Sequence, residues 1–473
     1  MKDPRPNILL LMTDQQRGDC LGIDGHPVLQ TPYLDELATS GVRFDKAYTA
    51  CPVCVPARRT LMTGRKPSSH GVLMNYDTWL HGPTLPGELA KEGYQTHLVG
   101  KLHLWPQRKL YGFMSEDWAD SPIVGEDYQR FLRDNGVTMP EPGVGHGCSQ
   151  NGYVARPWHL DERLHFSNWC ADKAIEFLQR RDPTLPYFLK VSFHQPHEPC
   201  TPPQVYWDRY MHMDLPEPYV GDWARVFDGP QRGLPVDAWR IAVDPAVMKQ
   251  YRAGYFGTIN HIDDQIGRIL RLVDKRNTIV VFVSDHGDMI GDHQWLRKRN
   301  AFEGSARIPF LVRFPESMGI GQSRVVSDVV ELMDVMPTLL DAAGAEIPDT
   351  VDGSSMLPLL GNKKVQWREY LHGECSQVPT LGSGMQYLTD GHRKYIWYPG
   401  TGGEHFFDLD NDPREMHNLA QEPSRAKELA MWRERLVAEL TGRAEGFTDG
   451  KSLKVLGKAT LPYLPGYERE RFE

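Results

Sequence analysis

The chain contains 473 residues, of which 40% are hydrophobic and 24% are charged, and its formal net charge is −9. This length and ordinary globular composition predict one large and one small domain. The acidic balance argues against nucleic-acid binding, which needs a basic face, although a local cluster of cations can still bind an anionic substrate.

The apolar runs of the sequence are short. None approaches the roughly 18 residues of a membrane helix, and the run Ile8–Met12 is too short for a signal peptide and lacks a following cleavage site. We therefore expect no membrane partner and a cytoplasmic protein, or a periplasmic or secreted one if the chain is a trimmed mature form. The seven cysteines are odd in number and scattered, which argues against a disulfide framework.

Apolar runs alternate with helical patterns along the first three quarters of the chain. Consecutive apolar residues predict strands covered on both faces, and such runs occur at Ile8–Met12, Thr96–Val99, Tyr187–Phe193 and Thr278–Val283. A helix is predicted from Pro32, after a cap at Thr31, to Gly41, and a longer one from about Met248 to Lys275. This alternation is typical of a doubly wound α/β sheet.

The pattern changes after about residue 365. The segments YLHGECSQ, MQYLTDGHRKYIWYPG and EHFFDLDNDPREMHNLA predict hairpin strands, followed by a helix over about 424–440. We therefore predict an α/β catalytic domain over residues 1–365 and a smaller C-terminal α+β domain over residues 366–473, with an antiparallel sheet and one helix. Residues 200–240, rich in Pro, Asp and Trp, are predicted to be an insertion over the sheet edge.

Each predicted strand runs into a cluster of polar residues. In order along the chain these residues are Asp14, Gln15, Lys101, His103, His194, His197, Asp285, His286, His293 and Lys298. Taken singly, each could be a cap, a turn or a solvated loop residue, but open α/β sheets bind ligands at the carboxyl ends of their strands. Two carboxylates, an amide and a histidine suit Ca²⁺, Mg²⁺ or Mn²⁺. Lysine and histidine would add positive charge and proton transfer for an anionic substrate.

The segment CPVCVPARRTLMTGR, residues 51–65, leaves several interpretations of Cys54 open. A zinc site would need a second Cys/His pair, and no Cys-x-x-Cys recurs; a redox pair of the two cysteines and a plain buried thiol are alternatives. Pro56 fits the first turn of a helix and Gly64 its end, which puts Cys54 just before a helix N-terminus. With Arg58 and Arg59 one turn on, such a terminus is an anion site.

The same segment resembles the sulfatase signature, Cys-x-Pro-x-Arg followed by Thr-Gly-Arg. Five more segments resemble that family in the same order: PNILLLMTDQQ, GKLHL, HQPHEP, VSDHGDMIGDH with WLRK, and FFDLDNDPREMHNLA. The chain is thus similar to the formylglycine-dependent type I sulfatases of the alkaline phosphatase-like superfamily. The resemblance implies a large mixed, mostly parallel sheet flanked by helices.

The resemblance also implies the chemistry. Cys54 would be converted by a formylglycine-generating or sulfatase-maturating enzyme to formylglycine (3-oxoalanine), whose hydrate attacks sulfur and then expels sulfate through its second hydroxyl group. One divalent metal, Ca²⁺ with Mn²⁺ or Mg²⁺ as alternatives, would be held by Asp14, Gln15, Cys54, Asp285 and His286. Arg58 and Lys101 would hold the diol, His103 would be the base, and the sulfate oxygens would be bound by His197 and Lys298.

Two positions depart from the common family pattern. Gln15 stands where many sulfatases have Asp, and His286 stands where many have Asn; the same combination occurs in phosphonate monoester hydrolases and choline sulfatases. The predicted function is sulfate monoester hydrolysis on a sulfated carbohydrate or small molecule, with a phosphonate monoester or phosphodiester hydrolase, or a generic arylsulfatase, as the alternative. A non-catalytic binding protein would be expected to lose several of these residues. Oligomeric state is left open, and the candidate substrate contacts are His194, His293, His372 and Arg393.

Overall fold

The structure, a computed structural model, describes residues 5–120, 126–139, 146–361, 365–376 and 384–468. Its strands, numbered in chain order, are β1 (Asn7–Asp14), β2 (Val42–Phe44), β3 (Ala47–Tyr48), β4 (Gln95–Gly100), β5 (Ser115–Trp118), β6 (Tyr187–Pro196), β7 (Thr278–Ser284), β8 (Phe310–Arg313), β9 (Arg324–Val326), β10 (Val330–Glu331), β11 (Leu371–Cys375), β12 (Met385–Thr389), β13 (Arg393–Trp397) and β14 (Glu404–Asp408). Its α-helices are α1 (Pro32–Thr39), α2 (Cys54–Thr63), α3 (Pro67–His70), α4 (Leu85–Lys91), α5 (Asp127–Asp134), α6 (Phe166–Arg180), α7 (Gln204–Met211), α8 (Pro245–Leu270), α9 (Glu303–Ala306), α10 (Val335–Ala343) and α11 (Ala426–Leu440).

Eight strands form the central sheet, in the order β5-β4-β6-β1-β7-β8-β2-β9. β8 runs antiparallel to both of its neighbours, and the other pairs are parallel. Every residue of β1, β6 and β7 is buried, because helices cover both faces of the sheet. The predicted α/β class with a large, mostly parallel sheet is confirmed.

The two faces of the sheet carry separate hydrophobic layers. Side chains alternate across a strand, so Leu10 of β1 belongs to the layer with α2, α4 and α10, whereas Leu9 and Leu11 belong to the layer with α1, α6 and α8. All ten residues of α2 are buried in this packing. No helix in the described part of the chain is long and apolar enough to cross a membrane.

Helix α1 is capped from outside rather than by the predicted Thr31. The Thr31 hydroxyl makes no cap bond and instead donates to the Asp35 carboxylate at 2.9 Å. Asp263, on α8, accepts the main-chain N–H groups of Tyr33 and Leu34 at 3.1 and 2.8 Å. A tertiary partner thus satisfies the orphan donors of the first turn, which local sequence could not indicate.

The C-terminal part forms a four-stranded antiparallel sheet in the order β11-β12-β13-β14. One face packs on α11, where Trp397 meets Leu429, Trp432 and Leu436, so this tryptophan is a packing residue. The other face shares a hydrophobic cluster with Cys51 and the segment before α2. The predicted small antiparallel-sheet unit is confirmed, whereas the boundary near residue 365 stays a prediction.

The segment 200–240 contains one helix, α7, that the sequence analysis missed. Its buried residues, Tyr206 and Tyr210, lie on one side and donate hydroxyl hydrogen bonds to Asp264 and Asn260 of α8 at 2.6 and 3.2 Å. Two tyrosines four residues apart are an amphipathic signal, but polar neighbours and nearby prolines obscured it. α7 therefore extends the helical layer beside α8.

Candidate active site

The carboxyl ends of the parallel strands bring the predicted metal ligands together. β1 ends at Asp14, and its register with β7 pairs Thr13 with Ser284, directly before Asp285. Ligand atoms of Asp14, Cys54, Asp285 and His286 all lie within 4.8 Å of one another, and all four residues are buried. The cluster therefore forms where three chain segments, the end of β1, the start of α2 and the loop after β7, converge at the carboxyl ends of the strands.

The donor set in this cluster fits a divalent cation. Cys54 Sγ lies 3.3 Å from His286 Nε2. Because His286 Nδ1 donates to the Gly287 carbonyl oxygen at 3.0 Å, its Nε2 keeps a lone pair for a ligand. Burial and the nearby Asp14 carboxylate raise the pKa of Asp285, a repulsion that a bound cation would relieve.

Gln15 adds a fifth donor. Its Nε2 group donates to the carboxylates of Glu198 at 2.9 Å and Asp288 at 2.6 Å, which fixes the amide orientation. Its buried Oε1 has no hydrogen-bond partner among the described residues. An orphaned carbonyl oxygen beside two carboxylates is the donor that a hard cation takes. Burial and the nearby Asp288 carboxylate raise the pKa of Glu198 to about 8.

Arg58 ties the two carboxylates to the sheet. Its Nε lies 2.9 Å from Asp285 and its Nη2 lies 3.2 Å from Asp14. Its Nη1 donates to the Lys101 carbonyl oxygen and to Ser192 Oγ, both at 2.9 Å. Lys101 Nζ lies 2.5 Å from Asp14. Although burial alone would raise the pKa of Asp14, nearby cations, Lys101 foremost, hold it well below its ordinary value.

The turn that delivers Lys101 requires glycine at position 100. Gly100 ends β4 with a φ of +86°, and a Cβ atom there would lie 2.2 Å from the Ser192 carbonyl oxygen. Both the left-handed backbone and the close approach to β6 therefore exclude other residues. This explains the Gly-Lys step in the segment GKLHL.

Cys54 is the first residue of α2 and carries a perturbed thiol. Lys298 Nζ lies 3.0 Å from its Sγ. Burial and Asp14 oppose ionisation, but Lys298, Lys101 and His286 outweigh them and hold the pKa of Cys54 well below its ordinary value. A lowered thiol pKa beside several cations is typical of a reactive cysteine rather than of a packed thiol.

Helix α2 directs the other residues of the signature segment to different surroundings. The Asn75 side chain accepts the N–H of Val55 at 3.0 Å, and Pro56 occupies the first turn, where no donor is needed. Arg59 points away from the site and donates to main-chain oxygens of residues 78 and 79, so the prediction that both arginines form the anion site is wrong for Arg59 and stays a prediction for Arg58. Cys51 packs in the cluster beneath the C-terminal sheet.

Three histidines lie near the reactive cysteine. His197 Nδ1 donates to its neighbour's main-chain oxygen at 2.9 Å, and the ring centroids of His194 and His197 are 4.9 Å apart. Burial, together with Lys298, lowers the pKa of His197, and burial lowers that of His194 to about 3, so both rings are neutral near pH 7. The His103 main-chain N–H donates to Asp120 at 2.8 Å.

A cavity of about 240 Å³ opens over Cys54. Its volume lies just below the range of about 300–1,000 Å³ that is usual for small-molecule sites. It is lined by Cys54, Asn75, Lys101, His103, Asp120, Gln150, Asn151, His194, His197, Trp239, Arg297, Lys298 and Arg299. Arg297 and Arg299 flank Lys298 in sequence, which was a signal for them, whereas nothing in the sequence pointed to Gln150, Asn151 or Trp239.

Three of the predicted substrate contacts lie elsewhere. His293 is buried among aromatic rings and accepts the Gly221 N–H at 3.1 Å. His372 lies on β11, paired with a glutamine of β12 at 2.7 Å, and Arg393 lies on β13, 2.7 Å from Asp408. None of the three is among the described residues that line the cavity over Cys54. The structure does not support their prediction as substrate contacts, because local packing and ion pairs occupy them.

Two family models match the chain. Residues 6–345 match the sulfatase model. Residues 291–441 match the C-terminal model of N-sulphoglucosamine sulphohydrolase. The first match covers the central sheet and the candidate metal ligands Asp14, Gln15, Cys54, Asp285 and His286.

The chain is also similar to known proteins over almost its whole length. An arylsulfatase of Clostridium perfringens is 41% identical over 97% of this chain and 100% of its own. The crystal structure of a phosphonate monoester hydrolase of Agrobacterium radiobacter superposes with a TM-score of 0.79 at 25% identity, covering 92% of this chain and 95% of that one. A structure described as a complex with its substrate D-glucosamine-2-N,6-O-disulfate superposes with a TM-score of 0.75 at 25% identity, covering 92% and 97%.

Proposed function

Because the chain belongs to the sulfatase family, we propose that it hydrolyses sulfate monoesters of a carbohydrate, with formylglycine derived from Cys54 as nucleophile. The observation that carries the proposal is the meeting of Cys54 with Asp14, Asp285, His286 and Lys298 at one sheet edge. Its carbohydrate part rests on the match to the N-sulphoglucosamine sulphohydrolase model and on the likeness to a protein that binds a glucosamine disulfate.

One divalent cation, for which we propose Ca²⁺ ahead of Mn²⁺ or Mg²⁺, would be held by five residues. They are Asp14, Gln15, Asp285, His286 and the modified residue 54. A cation in such a site withdraws electron density from a nucleophilic oxygen and lowers its pKa. The oxygen-rich donor set supports a hard cation over zinc.

The chain's own residues prepare the site around the nucleophile. Conversion of Cys54 to formylglycine would supply a hydrated aldehyde, one hydroxyl for attack and one for release of sulfate. Arg58 fixes Asp14 and Asp285, and Lys101 places a cation beside Asp14.

The cavity residues would handle the sulfate group and its protons. Lys298, whose ammonium lies 3.0 Å from Cys54 Sγ, is placed to bind sulfate oxygens beside the nucleophile. His197, with its Nδ1 proton engaged, keeps Nε2 as the ring nitrogen that can bind substrate. His103, which lines the same cavity, is the proposed base that accepts the proton of the second hydroxyl.

Maturation would precede folding. The signature residues lie within α2, whose ten residues are all buried. In the folded chain this segment is therefore closed to a modifying enzyme. We therefore propose that the modifying enzyme acts on the newly made, unfolded chain.

A phosphonate monoester hydrolase is the second candidate function. The likeness to the Agrobacterium enzyme favours it, as does the pair Gln15 and His286 in the metal cluster. Sulfate and phosphonate esters are similar in size and charge, so the same cavity can admit either.

Parallel kinetics separate the two candidates. The matured, Ca²⁺-loaded enzyme is assayed on sulfated mono- and disaccharides, on an aryl sulfate and on phenyl phosphonate, with Cys54→Ala as the inactive control. We expect the highest kcat/KM on a sulfated saccharide. A phosphonate kcat/KM above that of every sulfate ester would overturn the proposal in favour of the second candidate.

A further inference from the structure

The substrate cavity holds more positive charge than one sulfate ester needs. We propose that Arg297, Arg299 and Trp239, here called the arginine wall, bind a second oxyanion of the substrate, a carboxylate or a second sulfate. The preferred substrate would then carry two negative charges, one on the group that is cleaved and one that is only bound. This inference rests on the proposed function and names its substrate class.

The lining charges support this assignment. Four of the described lining residues are cationic, Lys101, Lys298, Arg297 and Arg299. Lys101 is paired with Asp14, and Lys298 lies against Cys54. These two serve the nucleophile and the cleaved sulfate, which carries a single charge. The arginine wall is therefore positive charge beyond what the chemical step uses.

The carboxylate that lines the cavity is held by the main chain rather than by Arg297. Among the described lining residues this is Asp120, whose Oδ1 accepts the main-chain N–H groups of Leu102 and His103 at 2.7 and 2.8 Å. Arg297 is only 4% exposed, and its guanidinium donates to a main-chain oxygen and forms no ion pair among the described residues. A buried guanidinium without a counter-charge is suited to receive one from a ligand.

The guanidinium groups are already oriented. Arg297 lies over the Trp239 ring with its Cζ 3.6 Å from the ring centroid, and Arg299 lies over the same ring at 4.4 Å. Arg297 donates through Nη2 to the Asp237 carbonyl oxygen. Its Nε is buried and has no hydrogen-bond partner among the described residues. A planar donor fork held by stacking recognises the two oxygens of a carboxylate or sulfate.

The wall is fixed relative to the nucleophile by its backbone. Arg297 and Arg299 both have left-handed φ values, +61° and +75°, an arrangement that persists only where the surroundings hold it. The Arg297 N–H donates to Asp288 at 2.8 Å, and the Arg299 N–H donates to the Pro52 carbonyl oxygen at 3.1 Å. Asp288 belongs to the loop that carries Asp285 and His286, and Pro52 belongs to the signature segment. A second oxyanion bound by the wall would therefore lie at a fixed distance from the cleaved one.

The test compares esters that differ only in a second charged group. Wild-type kcat/KM is measured for a methyl glycoside monosulfate, the same glycoside with a second sulfate, and the same glycoside with a carboxylate in that place. We expect kcat/KM to be about 10-fold or more higher for the dianionic esters, because the second oxyanion would accept charge-assisted hydrogen bonds from the wall. The two dianionic esters show whether sulfate or carboxylate is preferred.

Variants of Arg297 and a matched control test whether the arginine wall causes this preference. Arg297→Gln should cut it about 10-fold, mainly through KM, and Arg297→Lys, which keeps the charge but not the fork, should cut it less. Arg240→Gln is the control, because Arg240 also stacks on a tryptophan, Trp295 at 4.4 Å, but does not line the cavity. This control should keep the wild-type preference.

Two results would overturn the inference: equal kcat/KM for mono- and dianionic esters, or an equal loss of preference in the Arg297→Gln and Arg240→Gln variants. Release of no sulfate from any ester would instead contradict the proposed function. In that case the Kd values of the same esters, measured by calorimetry, still decide the inference, since the wall predicts tighter binding of the dianionic esters by wild type and not by Arg297→Gln.

Discussion

Replacing Arg58 with methionine should lower the free energy of unfolding by about 3–5 kcal/mol, the cost of leaving a buried charge without its partner. Arg58 is 1% exposed and lies 2.9 Å from Asp285 and 3.2 Å from Asp14. At an effective dielectric constant of about 20, each contact is worth about 5 kcal/mol before desolvation is subtracted. The assay is urea unfolding at pH 8 in the presence of a chelator, so that no bound cation replaces the lost charge.

Arg59→Met is the matched control. Arg59 lies on the same helix and is equally buried, but it donates to main-chain oxygens rather than to carboxylates. Its loss leaves neutral acceptors unpaired, at a cost that does not depend on pH. The comparison therefore isolates the charge on the two carboxylates.

The pH dependence gives the sharper distinction. Arg58 is one of the cations that depress the pKa of Asp14, so the stability it confers is present above the ordinary pKa of aspartate and is lost as pH falls through the folded value. Without Arg58 the two carboxylates should take up protons at a higher pH than in the wild type, so the deficit of Arg58→Met should shrink as pH falls from 8 towards the ordinary pKa of aspartate. A deficit below about 1 kcal/mol, or one as constant with pH as that of Arg59→Met, would refute the reasoning.

Three further predictions test other parts of the structure. Burial raises the pKa of Asp263 to about 8. The free energy of unfolding of the wild type should therefore fall relative to that of Asp263→Asn by up to about 1.4 kcal/mol per pH unit between pH 5 and 8. The same pH dependence of urea unfolding in both proteins would contradict this. Arg393→Met should leave kcat/KM unchanged and cost about 1 kcal/mol of stability, since its ion pairs are partly exposed; a 10-fold fall in kcat/KM would return Arg393 to the substrate site. Asp288→Asn, which frees the Gln15 amide, should weaken Ca²⁺ binding in calorimetry by about 10- to 100-fold, and unchanged affinity would remove Gln15 from the donor set.

The strands that carry the site could be predicted because consecutive apolar residues indicate strands that are buried on both faces. Ile8–Met12 and Thr278–Val283 became the core of β1 and β7, and the polar residues after them, Asp14 and Asp285, had to meet once the strands paired in parallel. The family resemblance added the convergence of Cys54 on that edge, which lies in a different part of the chain. The family prediction itself is confirmed by the match over residues 6–345.

What escaped prediction depends on contacts between segments that are far apart in sequence. Arg58 and Arg59 are neighbours, yet only the helix phase decides that one meets the carboxylates and the other meets residues 78 and 79. Asp263 replaces Thr31 as the cap of α1 because α8 packs there. His293 shows that closeness in sequence is not enough, since it lies five residues before Lys298 yet packs among aromatic rings away from the cavity over Cys54.

The mass of the peptide that carries Cys54, taken from active enzyme made in its native host, tests the central claim most directly. The account predicts an aldehyde at residue 54, revealed by the mass lost when thiol becomes aldehyde and by labelling with a hydrazide, and sulfate release in proportion to that fraction. Fully active enzyme in which residue 54 is an unmodified thiol would contradict it.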